Sequence, residues 1–274
     1  MSKQRYMHRT RQADLHTCAV QFWLSSRSPT SQCWEGIGVK AQSTGLKIPL
    51  LNLALSKGYP IGTPQQTIID EIEQVKAFFV GRNVPWYWWV GPNHYPPDLP
   101  SILRGCGMAS EHPGLPTMTA SLPLLDFEKG CPDIKVWLAE SHFDLKSASK
   151  IRHTAFRFPE GVGTDYFEAM ADDWLAGNPA RLYLASVNAG PPAAIGALIM
   201  GAGIPGVYVM ATLPEWRRQG LGRAILTRIL IEAGKNGHDL IVLTASRIGY
   251  LLYQQFGFEH IFDYQIYHWE NNGS

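Results

Sequence analysis

The sequence predicts an α/β fold (α+β by some schemes), a mixed sheet with helices on both faces, built as two related domains. Three observations predict it. The C-terminal half alternates strand text with helix text. The order helix, strand, helix, glycine, large apolar residue occurs twice, at an offset of roughly 150 residues. The run Asp239 to Leu243 is short and nearly all apolar, which suits the middle of a covered sheet. With 274 residues, 45% hydrophobic and 17% charged, the chain has core enough for both domains.

The first dozen residues carry Lys3, Arg5, Arg9 and Arg11 with no apolar core behind them. They read as a solvated, poorly ordered tail over residues 1–14 and not as a signal peptide. A first domain is expected over 15–129. In it Thr63 is a plausible N-cap with Pro64 at the first helical position, and the helix runs through Ile68, Ile69, Ile72, Val75 and Phe79. The aromatic strand Pro85-Trp86-Tyr87-Trp88-Trp89-Val90 follows, then a helix from Pro97 that ends at Cys106-Gly107-Met108. Glu35-Gly36-Ile37-Gly38 and Asn93-His94-Tyr95 read as turns.

The second domain is expected over 130–274, from a boundary near Phe127 to Pro132. Asp133 to Glu140 reads as a strand, His142 to Phe156 and Thr164 to Leu175 as helices. Three strands follow, Arg181 to Val187, Ala194 to Met200 and Gly206 to Thr212, parted by Gly/Pro turns. Gly222 to Gly234 is a helix with an apolar stripe through Ile225, Leu226, Ile229 and Leu230. After the strand Asp239 to Leu243, a last helix, Ile248 to Phe256, is stopped by Gly257, and Ile261 to Trp269 is a terminal strand.

Several function classes are disfavoured by bulk properties. A net charge of +1 argues against broad contact with nucleic acid or anionic membrane. The four cysteines, Cys18, Cys33, Cys106 and Cys131, are scattered without a Cys-x-x-Cys pair. They read as reduced thiols of a cytoplasmic protein, and no metal site is expected. Leu182 to Pro214 is uncharged, but its prolines and glycines suit buried strands with tight turns better than a membrane helix.

The chemistry concentrates after the third strand. Arg217-Arg218-Gln219-Gly220-Leu221-Gly222-Arg223 joins a strand to a helix. The N–H groups of a first helical turn lack intrahelical partners and sit at the positive end of the dipole. Gly220 and Gly222 let a phosphate reach that backbone without meeting a Cβ, and Arg217, Arg218 and Arg223 add charge. There is no Gly-x-x-x-x-Gly-Lys-Ser/Thr, and Ile225 stands where a dinucleotide fingerprint wants a third small residue. The matching turn of the first domain, Tyr59 to Pro64, carries no positive charge. One phosphate site per chain is expected.

The turn has the form Arg/Gln-x-x-Gly-x-Gly/Ala, and downstream Leu252-Tyr253-Gln-Gln-Phe-Gly257-Phe258 has the form Leu-Tyr-x-x-x-Gly-Phe. In this order and spacing the two motifs resemble the GCN5-related N-acetyltransferase (GNAT) family over Asp133 to Trp269. The first half looks like the degenerate first domain of tandem members. The resemblance implies mainly antiparallel sheets and acetyl-CoA as acyl donor. It implies pantetheine pairing with the backbone of Met210, Ala211 and Thr212. Pyrophosphate would bind backbone groups from Arg218 to Arg223, with Arg217 in the same turn and Ser246 as a further contact. Tyr253 would be the general acid for the departing thiolate.

Departures accompany the match. Ser246 stands where the family commonly has Asn, and Gly249 where it has Ala. No Asp or Glu lies between Leu182 and Pro214, the strands where many members keep a base. Tyr208, or a water held by carbonyls, is left as proton relay; Glu140 and His142 are weaker candidates, and no base is assigned. The aromatic strand packs a core or, with Tyr95 and Trp34, helps wall an acceptor pocket. The expected activity is acetyl transfer to an amine of a small molecule, in a monomer or homodimer. A silent acyl-CoA-binding or scaffolding module and an acyltransferase for a protein amine are the alternatives.

Overall fold

The computed structural model describes residues 3–123 and 133–269. Its elements are, in chain order, α1 (Lys3–Ser26), β1 (Gln32–Glu35), β2 (Val39–Ser43), β3 (Asn52–Ser56), α2 (Gln65–Gly81), β4 (Tyr87–Val90), α3 (Leu99–Gly105) and β5 (Met108–Ser121). Then come β6 (Ile134–Leu138), α4 (His142–Phe156), α5 (Ala171–Leu175), β7 (Ala180–Val187), β8 (Ala194–Gly201), β9 (Ile204–Thr212), α6 (Leu221–Lys235), β10 (Leu240–Thr244), α7 (Arg247–Gln255) and β11 (Glu259–Trp269). The chain forms two compact units, residues 3–14, 21–116 and 261–269 in one, 15–20 and 117–260 in the other. The boundary expected near 127–132 falls largely on residues 124–132, which lie outside the described ones, as does Cys131.

Two expectations at the N-terminus are corrected. The anticipated tail is the first half of α1, whose core-facing positions include Asp14, His16 and Thr17 beside Ala13 and Val20. Polar residues on the buried stripe erase the apolar periodicity by which a helix is read. Thr63 does not cap α2 either. Its hydroxyl donates to Pro60 O at 2.8 Å, and Pro64 precedes the helix without any side-chain cap.

The first unit orders its strands β1-β2-β3-β4-β11-β5. β1 to β3 are antiparallel, and β3 and β4 are parallel, joined by the α2 crossover. The strand at the end of the chain pairs antiparallel with β4, Ile266 opposite Trp89, so it completes this unit and not the one expected from its sequence position. Ile68, Ile72, Val75 and Phe79 of α2 pack with Leu99 and Leu103 of α3 on Trp86, Trp88 and Tyr267. On the other face Asp14 accepts from Tyr264 Oη at 2.6 Å and from Asn93 Nδ2 at 2.7 Å.

The second unit orders its strands β5-β10-β9-β8-β7-β6. All neighbours are antiparallel except β9 and β10, which α6 connects as a parallel pair. α6 buries Leu221, Ile225, Leu226, Ile229, Leu230 and Ala233 in a core with Met118, Ala120, Val207, Ile241 and Leu243. α4 covers β8 and β9, and the 15–20 segment of α1 packs at Gly201 and Gly206. Helices therefore flank this sheet on both faces. The helix expected over Thr164 to Leu175 is shorter, a 3-10 turn at Glu168–Met170 running into α5.

Candidate active site

The site is built where β9 and β10 part. Their ladder holds at Val242 and Gly206 alone. Beyond it, β9 from Val207 to Thr212 has no strand partner on that side, and its backbone groups are left for another extended chain. A bulge marks the same stretch. Ile195 pairs with Ala211 but Ala197 with Tyr208, so β9 carries one residue more than β8. Val209 absorbs it at φ 53, a conformation a β-branched residue adopts only under constraint. Met210, Ala211 and Thr212 follow directly, with Ala211 9% exposed and its neighbours half-buried.

β9 then runs through a 3-10 turn, Pro214–Trp216, into the basic turn. Arg218 and Gly220 have φ 63 and 88, so two positive-φ residues precede the first turn of α6. Gly220 occupies the N-cap position, where a side chain at that φ would be strained, and no side-chain oxygen covers the helix amides. Arg217 is anchored, Nε donating to Thr212 O at 3.2 Å and Nη2 to Ala155 O at 3.4 Å. Gln219 donates to Glu215 O at 3.3 Å. Arg223 lays its guanidinium on the Phe256 ring at 5.0 Å. A Cβ on Gly222 would meet only Leu252 at 3.8 Å and Thr212 at 4.0 Å, ordinary contacts, so the fold itself does not require glycine there.

α7 starts where β10 ends and closes the arrangement. Leu252 touches the start of α6. Tyr253 is 7% exposed, its ring edge-on to Phe258 at 5.9 Å. Burial pushes its hydroxyl up to about 12, so it stays protonated at neutral pH. Leu252 of α7, Gly222 of the turn and Thr212 at the end of β9 thus lie together, with Tyr253 next in the chain after Leu252.

Residues 178–260 match the model of an acetyltransferase (GNAT) domain. The second unit carries a GNAT domain. The likeness of fold extends over the whole chain. A GCN5-related N-acetyltransferase from Kribbella flavida superposes with a TM-score of 0.69 at 17% identity, over 94% of this chain and 96% of that one. A tandem GNAT protein from the clavulanic acid biosynthesis pathway gives 0.59 at 15% identity, over 100% and 97%. A GCN5-related N-acetyltransferase from Sphaerobacter thermophilus gives 0.64 at 13% identity, over 85% and 80%. No curated protein sequence matches the chain. The GNAT domain and the fold support acyl transfer as the reaction class.

The departures noted in the sequence have local explanations. Ser246 is the N-cap of α7, its Oγ accepting from Gly249 N at 3.2 Å, so its hydroxyl proton remains free to donate. A Cβ on Gly249 would come within 2.8 Å of Tyr253 Cε2. Glycine here lets the tyrosine ring lie on the first turn of its own helix. Glu140 and His142 sit exposed at the start of α4, which Ser141 caps. A cleft of about 460 Å³ lined by Leu138, Glu140, Trp174, Asn178 and Arg181 contains, of the residues singled out in the sequence, only the weaker base candidate Glu140. No group of metal-ligating side chains occurs among the described residues, nor a helix long and apolar enough to cross a membrane.

The aromatic strand belongs to the core of the first unit. Trp86 stacks on Phe79 at 4.5 Å, Trp88 is fully buried and donates to Ser56 Oγ at 2.8 Å, and Trp89 packs on Tyr264.

Two residues escaped sequence reasoning. His16 is fully buried beside Tyr208, ring centroids 5.6 Å apart, in the 15–20 segment that packs on the sheet of the GNAT domain. Its Nδ1 faces the carbonyls of Gly201 at 3.1 Å and Ile204 at 2.9 Å, so that nitrogen carries the proton. Nε2 then presents a lone pair without a partner, as the Tyr208 hydroxyl is also without one. Burial pushes the imidazole down to about 4 and the Tyr208 hydroxyl up, with Thr17 beside it opposing the shift. The second residue is Arg152, on the buried stripe of α4. The signal for both was a polar residue at a core-facing helical position.

Proposed function

We propose that the GNAT domain transfers an acetyl group from acetyl-CoA to the amine of a small molecule by direct attack on the thioester. The observation that carries this reading is the single Val242–Gly206 bridge, beyond which β9 offers an unpaired edge that leads straight into a basic turn with open helix amides. An extended arm with amide groups, such as pantetheine, suits the edge of Met210, Ala211 and Thr212. Its pyrophosphate suits the backbone N–H groups from Arg218 to Arg223, with Arg217 and Ser246 beside it. The amine nitrogen bonds to the carbonyl carbon, and the oxyanion is stabilised by a β9 amide such as that of Met210. The carbon–sulfur bond then breaks, and Tyr253 protonates the thiolate. The amine surrenders its own proton to solvent, through a water held by backbone carbonyls or through the Tyr208 hydroxyl.

A silent acyl-CoA binder is the second reading, favoured by the lack of any carboxylate between Leu182 and Pro214. Calorimetric titration with acetyl-CoA and a CoA-release assay over an amine panel test both. Binding with amine-dependent release supports transfer; binding without release from any amine leaves the binder; no binding removes both.

A further inference from the structure

The buried stripe of α4 consists of Leu145, Ala148, Ser149, Ile151 and Arg152. Small and apolar residues are what a helix on a sheet requires, and Ser149 is used locally, its Oγ accepting from Phe167 N at 3.0 Å. Arg152 has no such use. It is 5% exposed, Nη1 is buried without a partner, and among the described residues no carboxylate stands within ion-pair distance. Its guanidinium lies on the Tyr166 ring, Cζ 3.8 Å from the centroid, with Phe158 at 4.7 Å. Cation–π contact returns only part of the hydration that burial removes. Burial pushes the group down to about 10, which leaves it charged at neutral pH. A guanidinium held by its faces keeps its N–H edge for a planar anion, and a carboxylate matches that edge with two parallel hydrogen bonds.

Its place in the unit says which anion. α4 covers β8 and β9, and its last turn is tied to the end of β9 through Arg217, which bridges Thr212 O and Ala155 O. Arg152 lies one turn before Ala155 on the buried side of α4, the helix that packs on β9. On the acyl-transfer reading the donor's phosphates already have the open amides of the turn before α6. We infer that the acceptor amine bears a carboxylate, which Arg152 receives through its N–H edge. This rests on the acyl-transfer reading.

The test pairs amines that differ only in a carboxylate: β-alanine with ethylamine, lysine with cadaverine, phenylalanine with phenethylamine. In the wild type at least one carboxylated member is expected to exceed its partner in kcat/KM by about 100-fold. Arg152→Met, with Arg152→Lys as the variant that retains charge and fold, is expected to abolish the preference while turnover of the uncarboxylated amine persists. Turnover without preference overturns the inference and leaves acyl transfer standing. So does an Arg152→Met variant whose acetyl-CoA affinity falls as far as its preference, because the anion is then the donor's. If no amine releases CoA, thermal shift with the same amino acids separates the two ideas. Stabilisation of wild type but not of Arg152→Met upholds the carboxylate site while acyl transfer falls; no stabilisation overturns both.

Discussion

β3, α2 and β4 of the first unit and β9, α6 and β10 of the second are the same construction, a strand, a crossover helix and a parallel strand. They differ in how the strands meet. β3 and β4 are zipped through Leu53, Ala54 and Leu55 opposite Tyr87, Trp88 and Trp89, whereas β9 and β10 share one bridge. β3 is straight and wholly buried, and its helix begins at Pro64 without charge. β9 carries the Val209 bulge, and its helix begins at Gly220 among arginines. A ligand-accepting crossover thus needs two departures from regular pairing, an unzipped edge and an uncovered helix start. The first unit kept its pairing regular and filled the space with tryptophan.

The contrast can be broken most strongly at the helix starts. Gly222→Trp is expected to weaken acetyl-CoA binding by more than about 100-fold in calorimetry, since the fold has room for a Cβ and the ligand does not. Gln65→Trp, at the first residue of α2, is expected to change nothing; equal losses would mean that the two starts are not distinct. Next, Tyr253→Phe is expected to lower turnover about 100-fold at unchanged donor affinity. Unchanged turnover would remove Tyr253 from the chemistry.

Acid sharpens the comparison through the buried groups of α1. The imidazole of His16 titrates near 4 when folded against an ordinary 6.5, so the unfolded chain binds the extra proton. Its contribution is whole above about 6.5 and falls as pH drops towards 4, by about 2 kcal/mol between pH 7 and pH 5. Burial raises Asp14 in the first unit, so its protonated form is favoured by folding and that advantage fades as pH rises instead. Thermal melts across this range should flatten in His16→Gln, and an unaltered profile would show that the acid response lies elsewhere. The smallest effect concerns caps. Ser246→Ala is expected to cost about 1 kcal/mol by thermal melting, because Ser246 accepts from Gly249 N. Asp98→Ala at the start of α3 should cost less, since the Asp98 side chain makes no cap bond.

Much of the second unit was legible. Its strands alternate or run apolar, its helices have clear stripes, and Gly257 ends α7 as Gly107 ends the turn after α3, each followed by a buried Met108 or Phe258. The basic turn was legible because three arginines and two glycines stand together between an apolar strand and an apolar helix stripe. What stayed hidden depended on tertiary partners. α1 presents Asp14, His16 and Thr17 inward and so lacks a helical signature. The bulge at Val209 is a register shift against β8, and a single strand does not encode it locally. Arg152 reads as a solvated helix residue until the Tyr166 ring is found beneath it. The partner of β11 was hidden for the same reason, since an apolar strand declares a sheet but not which one.

That last strand also sets an order of events during synthesis. The first unit seats residues 261–269 between β4 and β5, yet the ribosome delivers them only after residues 117–260 of the second unit. Until then the long strand β5 and the aromatic β4 have an empty lane between them, a sticky edge open to other chains. The second unit, drawn from residues 15–20 and 117–260, has its whole chain before then. The first unit is therefore completed only after the residues of the second have been made.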